Sequence, residues 1–309
     1  MQRLSAPTIV DYGLLMSLAV IFGSNFMFIK IGVENMPAAV FVLTRLVIAA
    51  VVMLGLAIFM LGARSALPRG AIWWPMLGCA LFGYTLPFSL TSWGQEEVDS
   101  AIAAIIMSTM PLFTLALAQV FTRDEKPTLF SVLGFGLALV GVVVLFGFHK
   151  LAAFDGDSVR QLAIVASAFC FGVNAILTKS VQTAPWQSVT AGILLVSALM
   201  AVPFALVSVN DPFVMGQMSG AIWLVVVYAG LVPTALAGVL TIFMVRRTGA
   251  AFLSQLNFFV PVVGVFCGVL FLAELLPPNA WLALPIILSG VALARWRPKR
   301  KTLSINKGV

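Results

Sequence analysis

The sequence predicts an all-α integral membrane protein, with ten transmembrane helices arranged as two inverted five-helix repeats. Three observations predict it. The chain is 61% hydrophobic and only 9% charged, where a soluble domain carries about 25% charge. Its apolar residues gather into runs long enough to cross a bilayer, which takes about 20 residues. A polar motif in the first run returns in the sixth, 149 residues later.

The charge argues for a membrane rather than for nucleic acid. A net charge of +7 can mark a nucleic-acid binder. Here the basic residues cluster in short segments between runs and in the tail Arg295, Arg297, Lys299, Arg300 and Lys301, which is how a membrane protein marks its cytoplasmic side. Cys79, Cys170 and Cys267 each lie inside an apolar run and read as small buried hydrophobes. The single histidine, His149, leaves almost nothing for a His-based metal site. No G-x-x-x-x-G-K-S/T loop is present, so ATP is not hydrolysed. The expectation is no metal, no cofactor and no nucleic-acid partner.

The first run follows Asp11 without an obvious small-residue cleavage site, so it reads as a retained helix rather than a signal peptide. The spans fall near 10–33, 38–62, 71–94, 98–121, 128–148, 159–181, 186–209, 219–244, 248–272 and 278–296. In lipid the backbone groups must be satisfied within each segment, so the runs are helices. With the N-terminus in the cytoplasm, Arg3, Arg64, Arg69, Arg123, Lys126, Lys179, Arg246, Arg247 and the tail share that side. The other side receives Lys30, Lys150 and Arg160, together with the acidic turn Glu96, Glu97 and Asp99. The bias predicts both termini inside.

The repeat organises the chain. Gly23, Asn25 and Lys30 form G-x-N-x4-K, and Gly172, Asn174 and Lys179 repeat it. Pro37 then matches Pro185, Pro87 matches Pro233, Pro111 matches Pro261 and Gly141 matches Gly290, at offsets between 146 and 150. The halves are residues 1–150 and 151–309. Five spans is an odd number, so the second half enters the membrane from the opposite face. Inverted repeats of this kind characterise secondary transporters, with the substrate site between the halves near the midplane.

These residues also resemble a known family. Phe22 to Asn25 and Lys30 to Gly32, the segment Ala103 to Leu112, and Glu125-Lys126-Pro127-Thr128 followed by Gly134, Gly141 and Val142 are similar to the first, fourth and fifth helices of the ten-helix EamA branch of the drug/metabolite transporter superfamily. Within it the chain most resembles bacterial exporters of aromatic amino acids. The resemblance implies export of amino acids or related metabolites through a central cavity. Glu274 and Pro277 repeat Glu125 and Pro127 with different spacing.

Candidate site residues follow from polarity inside the spans. Asn25 and Asn174 either bind substrate or join helices, since an intramembrane amide needs partners. Lys30 and Lys179 lie near helix ends, as carboxylate attractors or gates, or as ammonium groups snorkelling to the interface. Arg45 is the deepest basic residue. It meets a substrate carboxylate, or backbone carbonyls, or lipid headgroups. Pro87, Pro111, Pro233 and Pro261 interrupt spans three, four, eight and nine and free carbonyls there. Tyr84, Trp93, Tyr228 and Phe258 could stack with an aromatic substrate, while aromatic residues also favour lipid and interface positions. Ser254, Gln255 and Asn257, with Ser108 and Thr109 at the related place in span four, offer hydrogen bonds to a small molecule.

The function expected is an alternating-access carrier exporting amino acids, aromatic ones as the resemblance implies, or related metabolites. The partners are a small-molecule substrate and the lipid bilayer of the inner membrane, for a monomer or homodimer. No Asp or Glu lies deep in a span, so proton coupling has no carboxylate relay. The alternatives are a carrier of a nucleotide sugar, phosphate ester or drug, or a channel. A membrane-embedded enzyme would need paired Asp, or Ser with His, inside the membrane, and neither is present.

Overall fold

The computed structural model describes residues 7–121, 128–146, 156–208 and 218–296. The expected boundary at 150/151, the turn Glu125 to Pro127, His149 and the tail from Arg297 lie outside the described residues. Among those described there are helices and no strands.

The chain enters at a capping box, where Asp11 Oδ2 accepts the Thr8 N–H at 2.8 Å and the Thr8 hydroxyl at 2.7 Å. Helix α1 (Ile9–Asn35) stops before Pro37, whose ring disfavours helical backbone in the preceding residue. Helix α2 (Ala38–Leu61) starts directly after that proline and ends at Gly62, with φ of 78°. Next, α3 (Trp73–Ala80) and α4 (Leu86–Gly94) are joined without a break by a π turn, Leu81–Thr85. Then come α5 (Ser100–Met107), α6 (Met110–Phe121) and α7 (Leu129–Phe146).

The second half follows the same plan. It holds α8 (Gly156–Leu177), α9 (Trp186–Ser208) and α10 (Gly220–Gly230), then a π turn Leu231–Leu236 and α11 (Ala237–Thr248). The short α12 (Ala250–Leu253), α13 (Leu256–Phe271) and α14 (Pro278–Ala294) complete it. Seven helical stretches are long and apolar enough to cross a membrane, and α13 and α14 are shorter apolar helices. Val51, Phe59, Leu199, Val207, Leu224 and Phe266 stand exposed on the outside of the bundle. In water this would be a large apolar patch; in hydrocarbon it costs nothing.

One expectation about the prolines needs correcting. Pro261 does not interrupt its helix, because α13 runs through it. The break falls earlier, at Ser254 and Gln255, as the corresponding break falls at Ser108 and Thr109. The hydroxyls of Ser108 and Thr109 donate to the carbonyls of Ile105 and Ile106 at 2.5 and 2.7 Å. Side-chain donors of this kind compete with the backbone ladder and bend it. Polar residues, rather than the proline, therefore set the position of the second break.

The packing obeys one exchange rule. Replace each first-half element by its second-half counterpart and the main contacts map onto one another, apart from those of α5 and the α2–α4 pair, whose counterparts touch little among the described residues. Helix α1 packs on α13, and α8 packs on α6. Helix α1 also packs on α10 and α11, and α8 on α3 and α4. The pairs α2–α9 and α7–α14 map onto themselves. The α7–α14 pair is the tightest, because Gly134 lies directly against the backbone of Gly290 and Ala294. Small residues let helix backbones approach in lipid, where packing replaces the hydrophobic effect. The glycine-rich spans thus pack on each other inside one chain.

Candidate functional site

The two π turns sit at related places on the seam between the halves, with Pro87 two residues past the first and Pro233 inside the second. Pro233 has no N–H to give the Ala229 carbonyl one turn back. The Thr234 hydroxyl donates to that carbonyl instead, at 2.7 Å. This leaves the Thr234 oxygen free to accept, and Arg45 Nη2 donates to it at 3.0 Å. The same nitrogen donates to Asn25 Oδ1 at 3.4 Å. Phe88, just past Pro87, lies under the guanidinium with its ring centroid 4.1 Å from Cζ. The face of the π system attracts the cation. Arg45 thus joins α1, α2, α4 and the second π turn.

This arginine is 1% exposed, and its surroundings only partly compensate it. A guanidinium at the bilayer centre costs about 2.5–3.5 kcal/mol on insertion scales. A desolvated cation–π contact returns about 2 kcal/mol and an interhelical hydrogen bond about 0.6 kcal/mol. Those terms roughly balance for the charge. Yet Nε and Nη1 are buried with no hydrogen-bond partner, and a buried donor left unsatisfied costs about 1–3 kcal/mol. None of the ion pairs among the described residues includes Arg45. The cluster lacks one acceptor.

Aromatic rings surround it. Tyr84, in the first π turn, meets Phe88 edge to face at 5.5 Å, and Phe88 meets Phe171 at 6.4 Å. Three residues along α1 from Asn25, Phe28 stacks on Tyr228 at 4.1 Å, and the Tyr228 hydroxyl shares a hydrogen bond with Ser24 at 3.3 Å. Asn174 lies against Gly83 in the first π turn, where a Cβ would collide with its amide. Asn25, Tyr84, Phe88, Phe171, Asn174 and Tyr228 are all half-buried.

The other candidate residues lie elsewhere. Trp93, 39% exposed, stands at the far end of α4 with the Arg160 guanidinium 4.1 Å over its ring. Arg160 pairs there with Glu96 at 2.6 Å and Glu97 at 3.0 Å. Ser254 lies in the α12–α13 break and Asn257 in the first turn of α13, and the Ser254 carbonyl accepts from Asn257 Nδ2 and Arg295 Nη1, both at 3.1 Å. Gln255 and Phe258 belong to the same stretch. Ser108 and Thr109 are buried and turned back onto their own helix. Pro87, Pro111, Pro233 and Pro261 are all buried. Two shallow apolar grooves of about 180 and 170 Å³ indent the sides of the bundle, and neither is lined by the Arg45 cluster. Around Arg45 the seam is packed.

The two ends of the molecule differ. At the Glu274 end, Lys30 is buried and its Nζ donates to the Gln95 carbonyl at 3.1 Å. Glu274 accepts the N–H groups of Ser100 and Ala101 at 2.7 and 2.9 Å. Helix α1 packs on α4 and α5 there. At the Arg247 end the counterpart contacts, α8 with α11 and α12, are marginal among the described residues. Lys179 is exposed. What the end does have is an ion pair that joins α1 to α11, Arg247 to Asp11 at 2.6 Å. It repeats the Arg160 pair with the signs exchanged.

Sequence reasoning missed Phe28, Phe88, Phe171 and Thr234. Three of them had a readable signal: Phe88 and Thr234 each follow a symmetric proline, and Phe28 lies one helical turn from Asn25.

A bundle of apolar helices with matched kinks and a polar, aromatic seam between its halves fits a membrane transporter. The EamA-like transporter family model matches twice, over residues 11–147 and 160–296, and the chain belongs to that family. It is a multi-pass membrane transporter. It is 27% identical over 289 residues to YedA, an uncharacterised inner membrane transporter of Escherichia coli strain K12, covering 91% of this chain and 89% of the relative. It is 26% identical over 283 residues to a probable terminal-alkyne amino-acid exporter of Streptantibioticus cattleyicolor, covering 90% and 91%. With a probable amino-acid metabolite efflux pump of Escherichia coli K12 it shares 24% over 310 residues, covering 93% and 96%. A solved crystal structure superposes with a TM-score of 0.62 at 19% identity, over 93% of this chain and 97% of the other, so the fold is shared end to end.

Proposed function

We propose that the protein is an alternating-access exporter of amino acids, aromatic ones first, or of closely related metabolites, in the inner membrane. Ten helices cross as two inverted repeats, residues 1–150 and 151–309, with both termini in the cytoplasm. The observation that carries this reading is the exchange-symmetric packing with one end closed and the other loose. A chain with two equivalent halves can adopt the mirror arrangement, closed at the Arg247 end, at similar energy. Orientation rests on charge. Arg64, Arg69, Arg246 and Arg247 gather at the loose end, and Glu96 and Glu97 at the closed one. The structure is then the inward-facing member of the pair.

The substrate class rests on the seam, where one cation and several half-buried rings suit a carboxylate carrying an apolar group. A nucleotide sugar or phosphate ester would call for several deep cations, and Arg45 is the one the described spans hold at that depth. Names of two relatives, an amino-acid exporter and an amino-acid metabolite efflux pump, point the same way.

The test is uptake of labelled phenylalanine into liposomes holding the purified protein, with and without unlabelled phenylalanine inside. Saturable uptake stimulated by the internal load is the expected result, and it also separates a carrier from a channel. Uptake no greater than in empty liposomes, with the protein folded, would remove the aromatic amino acid claim.

A further inference from the structure

We infer that Arg45 is the anion subsite of this transporter: its unpartnered Nε and Nη1 donors call for an acceptor, which the carboxylate of the transported molecule supplies, with the apolar part of that molecule among Tyr84, Phe88, Phe171 and Tyr228. The inference rests on the transport reading and specifies the chemistry of its site.

Three independent observations carry it. The first is the missing acceptor. Arg45 Nη2 is occupied by Thr234 and Asn25, whereas Nε and Nη1 are buried and unpartnered. The two free donors lie on different sides of the guanidinium, so a permanently charged group is left with open N–H positions and no counter-ion.

The second is the asymmetry of the charge. The repeat offset of 148 to 149 residues brings Ile193 or Leu194 to the place of Arg45, and both are buried aliphatic residues. The scaffold therefore closes over a plain hydrophobe at this position in one half. A cation in the other half serves something besides packing.

The third is the support around the arginine. Phe88 fixes the guanidinium plane from below, and Thr234 is itself anchored to the Ala229 carbonyl freed by Pro233. A guanidinium held in one orientation with donors still open is preorganised for an anion. No comparable device for an ammonium group is present among the described residues, since no Asp or Glu joins the cluster. Asn25 Oδ1 and the tyrosine hydroxyls are the acceptors available to an amine. The carboxylate should therefore decide recognition and the amine should matter less. In the inward-facing packing Arg45 is covered, so the carboxylate reaches it as Phe88 and Asn25 move apart.

The experiment compares acids with their uncharged partners. Thermal stabilisation of the purified protein in detergent is measured with phenylalanine, 3-phenylpropionate and leucine, and with phenylalaninamide, phenethylamine and leucinamide. The expected result is a shift with the acids and none with the amides or the amine. Asn25→Asp is the decisive variant, because it puts a carboxylate beside Arg45 without removing the arginine. It should raise the melting temperature of the empty protein and weaken acid binding at least about tenfold, by neutralising the guanidinium internally. Arg45→Gln should lose the acid response as well, and the folded Asn25→Asp protein guards against a variant that simply fails to fold. Equal binding of acids and amides, an acid response untouched in Asn25→Asp, or no response of the wild type to any acid overturns the inference. Acids that bind but are not transported in liposomes would sink the transport reading and leave the subsite. Transport that ignores the carboxylate would do the reverse.

Discussion

Glu274 grips Ser100 across 174 positions of sequence: Oε1 accepts the Ser100 N–H at 2.7 Å, and Oε2 takes the next N–H, of Ala101, at 2.9 Å. These are orphan donors at the start of α5, where the helix dipole also favours a carboxylate. Ala273, in the left-handed region at φ of 53°, turns the chain after α13 so that the acid faces the helix. The contact bridges α5 and the α13–α14 connection, and it holds the Glu274 end shut.

Glu274→Ala should therefore lower the unfolding free energy by about 2–3 kcal/mol, the worth of two charge-assisted bonds to a buried helix start. Glu274→Gln, which keeps one acceptor, should cost less than the alanine variant. The denaturation midpoint in detergent measures both. Equal midpoints for all three proteins would mean that the contact holds nothing.

Arg160 ties α8 to α4 through Glu96, Glu97 and the Trp93 ring. Arg160→Glu should destabilise by about 1–2 kcal/mol, since it replaces attraction by repulsion beside two carboxylates. Adding Glu97→Arg should recover part of the loss, with a coupling of about 0.5–1 kcal/mol that shrinks as salt rises, because Glu97 is half exposed. A double-mutant cycle at two ionic strengths reads this directly. Strict additivity would show that Arg160 acts through Glu96 and Trp93 without Glu97.

The glycines of α7 separate close approach from mere composition. Gly134→Val must force α7 away from the Gly290 and Ala294 backbone, and it should abolish folding or cost more than about 4 kcal/mol, as overpacking against backbone cannot relax. Gly136 has open space on its side, so Gly136→Ala should be neutral or mildly stabilising, within about 1 kcal/mol. Yield of monodisperse protein and its melting temperature distinguish the two.

Much of this architecture was legible in the sequence because lipid leaves few choices. Long apolar runs can only be helices, so the helical stretches lie within a few residues of the runs, and the family followed from motifs such as Gly23, Asn25 and Lys30. Asn25, Tyr84, Arg45 and Tyr228 were readable as polar or aromatic residues inside those runs. The partners were not. Phe88 is one of 24 phenylalanines in the chain, and nothing in its identity says that it lies under Arg45. The π turns were hidden for a related reason: Pro87 and Pro233 announce a disturbed ladder, but whether the helix kinks or widens depends on what the freed carbonyl finds. The break in the ninth span was misplaced because proline was taken as the stronger signal, whereas Ser254 and Gln255 carry it.

Lys30 and Lys179 give the sharpest test of alternation, because the repeat makes them equivalent and the structure treats them differently. Lys30 is buried and bonded to the Gln95 carbonyl, while Lys179 is exposed. If only this packing existed, Lys30→Met would lower the melting temperature and slow exchange, and Lys179→Met would change neither. If the halves trade places, Lys179 takes up the buried role when the Arg247 end closes, donating to a carbonyl at the end of α11. Lys179→Met should then leave the melting temperature of the inward-facing protein within about 0.5 kcal/mol of wild type, as for an ordinary surface substitution, yet slow phenylalanine counterflow as much as Lys30→Met does. The pair of measurements is needed because stability reports the state that is populated and counterflow reports the cycle through both. Normal counterflow in Lys179→Met would return that lysine to a simple interfacial anchor and leave Lys30 as a latch on one face only.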